Sequence, residues 1–158
     1  MKNLGIIQPI IVLMALVAII LLPIGGITQA ETPLLKDYQV VEVQPFEVPL
    51  NVPAPDTAGR DLAYEIIYQI MRYSDKFNLF EMVIMEGAQK VPAGKKVLLV
   101  KGKITAYSNK GTCAATFQFV DKASGQVLPV QETEAKGFTF RVANYIAQVI
   151  YKYTVGGK

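Results

Sequence analysis

Hydrophobic and polar positions beyond residue 36 follow two periods, one of two residues and one of three to four. Period-two alternation or an unbroken apolar run predicts five strands, at residues 38–46, 78–86, 97–107, 112–121 and 126–131. Apolar residues at helical spacing predict two amphipathic helices, one beginning near Asp56 and Thr57 and one over residues 138–153. This order predicts an α+β fold, a two-layer sandwich whose mixed sheet of about five strands carries both helices on one face.

The residues of two of these strands predict where each strand lies in the sheet, one in the interior and one at an edge. Residues 78–86 are apolar on both faces except at Glu81, which is typical of an interior strand. Residues 126–131 include Pro129, which a sheet edge tolerates best. The polar residues 132–137 that follow are expected to form a connector to the last helix.

The hairpin of residues 97–121 divides its side chains between two faces. One face is apolar: Leu98, Val100, Ile104, Ala106, Cys113, Ala115, Phe117 and Phe119. If both helices cover this face, the opposite face remains open to solvent or to a partner. Four side chains define that candidate partner surface: Lys101, Lys103, Thr116 and Gln118.

A proline-rich loop over residues 47–55 follows the first strand. Prolines cannot donate ladder hydrogen bonds, so the segment is expected to be extended and irregular. Pro49 and Pro53 would belong to a recognition segment that docks on a partner, or to a plain surface connector.

Residues 1–30 predict export. They carry one charge, Lys2, and an apolar core at residues 10–22, whose length suits a signal peptide better than a membrane span. Small residues predict cleavage between Ala30 and Glu31. The alternative is an uncleaved anchor helix at residues 4–27, which would then make the only membrane contact.

The expected organisation follows from that segment. A signal or anchor helix at residues 1–30 precedes a leader at 31–36, one α+β domain at 37–154 and a tail at 155–158. The expected location is extracytoplasmic, either in the bacterial periplasm or secreted, or tethered to the inner membrane if the helix is retained.

Composition narrows the chemistry. The chain of 158 residues has no His, one Cys and a formal net charge of +3. It therefore lacks the residues for Ser-His-Asp or Cys-His catalysis, a His metal ligand or an internal disulfide. A small net charge of mixed sign favours neither nucleic acid nor strong attraction to anionic lipid.

The remaining reactive residues have plainer explanations. Cys113 shares its strand face with two Phe residues and is expected to be a buried, inert thiol. Glu132 and Glu134 could form an acid–base pair, but a solvated connector explains them equally well. Lysines near the central hairpin are expected to be solvated or to meet an anionic glycan or lipid: Lys95, Lys96, Lys101, Lys103 and Lys110. We therefore predict no catalytic, cofactor or metal residue.

Five segments resemble a known family. They are VQPF at residues 43–46, RYSDKFNLFE at 72–81, VKGKI at 100–104, FVDKASGQVL at 119–128 and YIAQVI at 145–150. With this layout the chain resembles domain-of-unknown-function family 4410, a group of exported bacterial proteins similar in layout to the CsgG-like and LpoB-like envelope domains. The resemblance covers most of residues 36–153 and implies an α+β envelope domain.

The leading hypothesis is an exported, non-enzymatic domain of the cell envelope that acts by binding an envelope protein or by self-association through a strand edge. One alternative is a small-ligand or lipid-binding module with an apolar pocket between helices and sheet. A second alternative is an enzyme that uses Cys113 or carboxylates.

Overall fold

The computed structural model describes residues 33–156 of the chain. Its elements, in chain order, are β1 (Val40–Val43), α1 (Ala58–Phe77), β2 (Met82–Met85), β3 (Val97–Tyr107), β4 (Thr112–Asp121), β5 (Glu134–Phe138) and α2 (Thr139–Val155). This set confirms the predicted α+β class. The predicted signal peptide, the cleavage position between Ala30 and Glu31 and the alternative anchor at residues 4–27 lie outside the described residues.

The five strands form one mixed sheet in the order β2-β1-β3-β4-β5. β1 is parallel to both of its neighbours, while β3, β4 and β5 form an antiparallel meander. The connection from β1 to β2 moves along the sheet in one direction, and the connection from β2 to β3 moves back past β1 in the opposite direction. Because crossovers between parallel strands are right-handed, α1 and the 86–96 connection should pass over opposite faces of the sheet.

Both helices pack on one face of the sheet, as predicted, and the core lies between the two layers. The sheet contributes Val41, Val43, Leu98, Val100, Ile104, Phe117 and Phe119 to one buried cluster, and the helices contribute Leu62, Ile66, Ile70, Val142, Ile146 and Ile150. An apolar ligand between helices and sheet would have to lie among these buried side chains.

β2 is an edge strand, so the predicted interior position is wrong. Its residues are apolar on both sides for another reason. Val83 and Met85 pack against the core, and Ile84 is buried on the opposite face, where the 86–96 connection is expected to pass. A strand covered on both faces can thus be apolar even at an edge.

The fifth strand lies later in the chain than predicted. Residues 126–131 form only one bridge, from Val127 to Val120, because the segment contains Pro129, which has no N–H to donate. The residues expected to be a connector form β5 instead. Its small inward residues, Ala135 and Gly137, leave room for α2, and its charged residues point away from the core.

Two further boundaries differ from the sequence predictions. A register shift between Ile104 and Ala106 turns Ala106 to the face of Lys101 and Lys103, so its predicted position among the apolar residues is wrong. The predicted leader also contains a core residue. Leu35 is fully buried, and its N–H donates to the Tyr153 carbonyl at 2.9 Å, so the packed domain begins before residue 37.

Within residues 33–156, neither helix has the length and apolar character that crossing a membrane requires.

Candidate binding surface

The sheet face opposite the helices has two halves. The covered half comprises β1, β2, the beginning of β3 and the end of β4. Four of its side chains are buried: Val40, Glu42, Ile84 and Val120. The uncovered half lies over the rest of β3 and β4 and over β5, and its side chains are partly or fully exposed: Lys101, Lys103, Thr116, Gln118, Glu134 and Lys136.

The covered half contains a buried carboxylate. Glu42 is 2 % exposed and forms an ion pair with Lys122, which follows β4. The same Lys122 Nζ lies 3.8 Å from the Glu86 carboxylate at the end of β2. A charge removed from water needs such a partner, so Lys122 ties the end of β4 to β1 and β2.

A second polar link joins the same region to the chain before β1. The Tyr38 hydroxyl donates to Asp121 at 3.0 Å, and Asp121 also accepts from the N–H and the hydroxyl of Ser124 at 2.8 and 2.9 Å. Hydrogen bonds from the Ser124 backbone and hydroxyl, with a further one from Tyr38, lower the pKa of Asp121. Burial, reinforced by the Asp121 carboxylate, raises the pKa of Tyr38.

The uncovered half holds a groove of about 680 Å3. All four side chains predicted from the hairpin line it, namely Lys101, Lys103, Thr116 and Gln118. These four side chains therefore share one continuous surface, and their role as a partner surface stays a prediction.

Backbone hydrogen bonds hold both walls of the groove. On one side, Gln44 N–H donates to the Val100 carbonyl at 2.8 Å and Glu47 N–H to the Gly102 carbonyl at 2.9 Å. On the other, Leu128 N–H donates to the Phe119 carbonyl at 2.8 Å, and Phe117 N–H to the Thr133 carbonyl at 2.8 Å. The groove is thus a feature of the folded backbone and does not depend on flexible side chains alone.

Glu132 stands on the second wall and is fixed by α2. Its carboxylate accepts from Lys152 Nζ at 2.6 Å and from the Tyr153 hydroxyl at 2.8 Å. These bonds, with Lys152 contributing most, lower the pKa of Glu132. Glu134 lies on β5 instead, and it lines grooves over the outer part of that strand. Each carboxylate therefore has its own surroundings.

The proline-rich loop is anchored by Phe46, which the sequence analysis did not single out beyond the VQPF motif. Its ring packs so closely on Gly102 that a Cβ built there would lie 2.4 Å from the ring. Its carbonyl approaches Gly59 of α1 in the same way, at 1.9 Å from a Cβ built there. Glycine at both positions allows the segment that follows β1 to pass close to β3 and then to α1.

Pro49 and Pro53, predicted as part of the same partner surface, do not line the groove. Pro49 lines a separate hollow of about 610 Å3 with Val48, Leu50 and Val52. Pro53 is exposed and lines neither hollow. The candidate partner surface predicted as one set is therefore divided, with the four sheet residues together and the prolines elsewhere.

The lysines near the hairpin are also divided. Lys95 pairs with Glu81 at 2.7 Å, and Lys96 Nζ lies 4.5 Å from the centre of the Tyr38 ring. Only Lys101 and Lys103 line the groove.

Cys113 is buried on the helix-facing side of β4, as predicted. Burial raises the pKa of its thiol, which opposes formation of the reactive thiolate. Among residues 33–156, no group of three or more Cys, Asp or Glu side chains could hold a metal ion.

Glu42 and Lys122 are the main structural features that the sequence analysis missed. The signal was a single carboxylate inside VVEV, a strand that is otherwise all valine, since a charge there needs a partner from elsewhere in the chain.

No family model and no curated protein matches the chain. Similar solved structures include a PelC dodecamer from Paraburkholderia phytofirmans, with a TM-score of 0.46 and 16 % identity over 75 % of this chain and 91 % of that one. TolB from Acinetobacter baumannii has a TM-score of 0.46 and 12 % identity over 75 % of this chain and 29 % of that one. Lipoprotein GNA1162 from Neisseria meningitidis has a TM-score of 0.37 and 11 % identity over 76 % of this chain and 99 % of that one. Because these scores and identities are low, the likenesses carry no argument about this chain's function.

Proposed function

We propose that the chain is an exported, non-enzymatic domain of the bacterial cell envelope that binds another envelope protein through the groove of the uncovered half. The export part rests on the apolar segment at residues 1–30, and the family resemblance, to domain-of-unknown-function family 4410, agrees with it. The binding part rests on the groove.

One observation carries the binding proposal. The side chains that the sequence pattern left without a role in the core, Lys101, Lys103, Thr116 and Gln118, lie together in a concave surface with walls fixed by backbone bonds. Solvated side chains on a plain sheet face do not need such walls. Pre-formed surfaces lose less conformational entropy on binding than flexible ones do.

The chemistry of the groove suits a protein better than a small apolar ligand. Its lining combines charges of both signs, from Lys101, Lys103 and Glu47, with apolar side chains such as Val127 and Leu128. Small-molecule sites are mostly apolar, whereas protein interfaces combine apolar patches with a polar rim.

Photocrosslinking in the native host tests the proposal. A benzophenone amino acid placed at Gln118 or Thr116 of the full chain should give a discrete adduct with one envelope protein. The matched control is the same amino acid at Lys90, which is exposed in the 86–96 connection. The charge-reversed variant Lys101→Glu/Lys103→Glu should weaken the Gln118 adduct at least tenfold. Equal adducts from the groove and from Lys90, or none from the groove, would contradict the proposal.

A further inference from the structure

The sheet ends in two edge strands, β2 and β5, and in residues 33–156 neither pairs with a further strand on its outer side. An edge strand presents unpaired N–H and C=O groups that can pair with another chain. The hydrogen-bond pattern identifies which residues present them.

On β5 these residues are Glu134 and Lys136. Phe117 N–H donates to the Thr133 carbonyl at 2.8 Å, and Thr139 N–H donates to the Gly111 carbonyl at 3.1 Å. Antiparallel strands alternate between bonded and unbonded pairs, so Ala135 and Gly137 face β4. The N–H and C=O groups of Glu134 and Lys136 therefore point outward.

On β2 they are Val83 and Met85. Glu86 N–H donates to the Val43 carbonyl at 3.0 Å. Alternate residues of a parallel strand bond the same neighbour, so Ile84 and Met82 face β1. The sequence of β2 is MVIM, with no charge and no proline. Charges and prolines are the usual protection of an exposed edge, and this strand has neither.

The side chains beside the two edges include opposite charges: two carboxylates flank β2, and two cations lie beside β5 together with one carboxylate, Glu134. Glu81 and Glu86 flank β2, and Glu81 remains 57 % exposed although it pairs with Lys95. Beside β5 lie Lys136 and Arg141, and the Arg141 guanidinium rests 5.7 Å from the centre of the Phe140 ring.

The β5 edge also offers apolar contact. A hollow of about 580 Å3 runs between β5 and α2, and Phe140 and Tyr145 line it. Both side chains are exposed, and Phe138 stacks on Phe140 with ring centres 6.1 Å apart. Exposed aromatic side chains beside an unpaired strand favour a docked partner over solvent.

From these observations we propose that the β5 edge of one copy pairs with the β2 edge of a second copy, so that the sheet continues from copy to copy. β2 and β5 run in the same direction within the chain, because β1, β2 and β3 are parallel and two antiparallel steps lead from β3 to β5. A simple rotation about an axis along the strands therefore joins them in parallel and keeps all helices on one side. Since the two edges differ, the contact is head-to-tail and produces a closed ring or a filament.

Disulfide trapping on the full chain tests this pairing. Cys113→Ala removes the only native thiol, and Met82→Cys is then combined with Lys136→Cys or with Glu134→Cys, which sample two registers on the same sheet face. Oxidation in the envelope should give a ladder of species larger than a dimer, while each single-cysteine variant stays monomeric. Dimers from a single-cysteine variant would indicate pairing of like edges, and no ladder would indicate no edge pairing; either result overturns the proposal.

Proline at the outward-facing position gives an independent test. Lys136→Pro removes an outer N–H but no bond to β4, so it should abolish the oligomer in sedimentation of the full chain in mild detergent. Lys90→Pro, in an exposed loop, is the control and should leave it intact. If Lys136→Pro lowers the melting temperature, the reversal Lys136→Glu/Arg141→Glu replaces it. That variant should lose the oligomer and regain it when mixed with Glu81→Lys/Glu86→Lys, and an unchanged oligomer in it would contradict the pairing. These edges are separate from the groove, so either proposal can fail alone.

Discussion

The covered and uncovered halves of one sheet face share strands β3 and β4, but the side chains of the covered half are largely buried and those of the uncovered half are exposed. β3 passes through both, with Val97 and Leu99 half-buried in the covered half and Lys101 and Lys103 in the groove. In the covered half a charged side chain, Glu42, is buried, and its ion-pair partner within residues 33–156 is Lys122. In the uncovered half the charged side chains of the strands are partly or fully exposed, and the polar surface forms a groove. Coverage by the chain itself therefore distinguishes a structural region from one that is open to a partner.

The largest expected effect concerns the wall of the uncovered half. Gly102→Ala would place a Cβ 2.3 Å from the Thr116 carbonyl oxygen and 2.4 Å from the Phe46 ring, so backbone as well as side chain must move. We expect a loss of about 3 kcal/mol in the free energy of unfolding, at the upper end for overpacking. Urea denaturation followed by circular dichroism measures it.

The control for that variant is Gly125→Ala. Gly125 has φ 72°, and a Cβ there meets no atom within 4 Å. The cost should be only that of the backbone conformation, about 1 kcal/mol. Equal losses in the two variants would mean that the Phe46 contact does not anchor the wall.

The next effect tests the covered half. Lys122→Met leaves the buried Glu42 carboxylate without its partner, and we expect a loss of about 2 kcal/mol, less than for fully buried pairs because Lys122 is 39 % exposed. The double variant Glu42→Leu/Lys122→Met should recover most of that loss, since it removes the buried charge as well. A double variant as unstable as the single one would show that the pair is not what stabilises this half.

The sequence predicted more of the uncovered half than of the covered half, for a physical reason. Period-two alternation in the 97–121 hairpin depends only on which side chains face the core, so it placed Lys101, Lys103, Thr116 and Gln118 correctly. The Glu42–Lys122 pair joins residues 80 positions apart, and no local pattern reports such a contact.

The errors have the same origin. Because Val83 and Met85 pack on the core and Ile84 is buried on the other face, β2 is as apolar at the edge as an interior strand would be. The strand β5 was missed because its inward residues, Ala135 and Gly137, are small. The register shift after Ile104 and the burial of Leu35 likewise depend on neighbours distant in the chain. Periodicity describes one strand at a time, whereas strand order is set by the whole sheet.

A smaller effect depends on pH and concerns the link between Tyr38 and the end of β4. The pKa of Asp121 is lower in the folded chain than in the unfolded one, so its stabilisation is complete above about pH 4 and is lost as pH falls through the folded value. We expect the melting temperature of the wild type to fall more steeply below pH 4 than that of Asp121→Asn. Ser124→Ala, which removes one donor, should lie between them. Parallel curves for all three proteins would contradict this assignment.

The smallest effect on stability is expected for Lys101→Gln/Lys103→Gln. If the uncovered half does not stabilise the fold, removing these two charges should change the free energy of unfolding very little. Neither ammonium group pairs with a carboxylate within residues 33–156, and surface substitutions of this kind change the free energy of unfolding by less than about 0.5 kcal/mol. Urea denaturation of this variant beside Lys122→Met, which also removes one lysine charge from the same face, measures the difference directly. A loss from the groove lysines as large as that from Lys122 would mean that they stabilise the fold. A stable variant whose Gln118 crosslink is weakened would instead place their role in binding, because the uncovered half would then affect the partner and leave the fold unchanged.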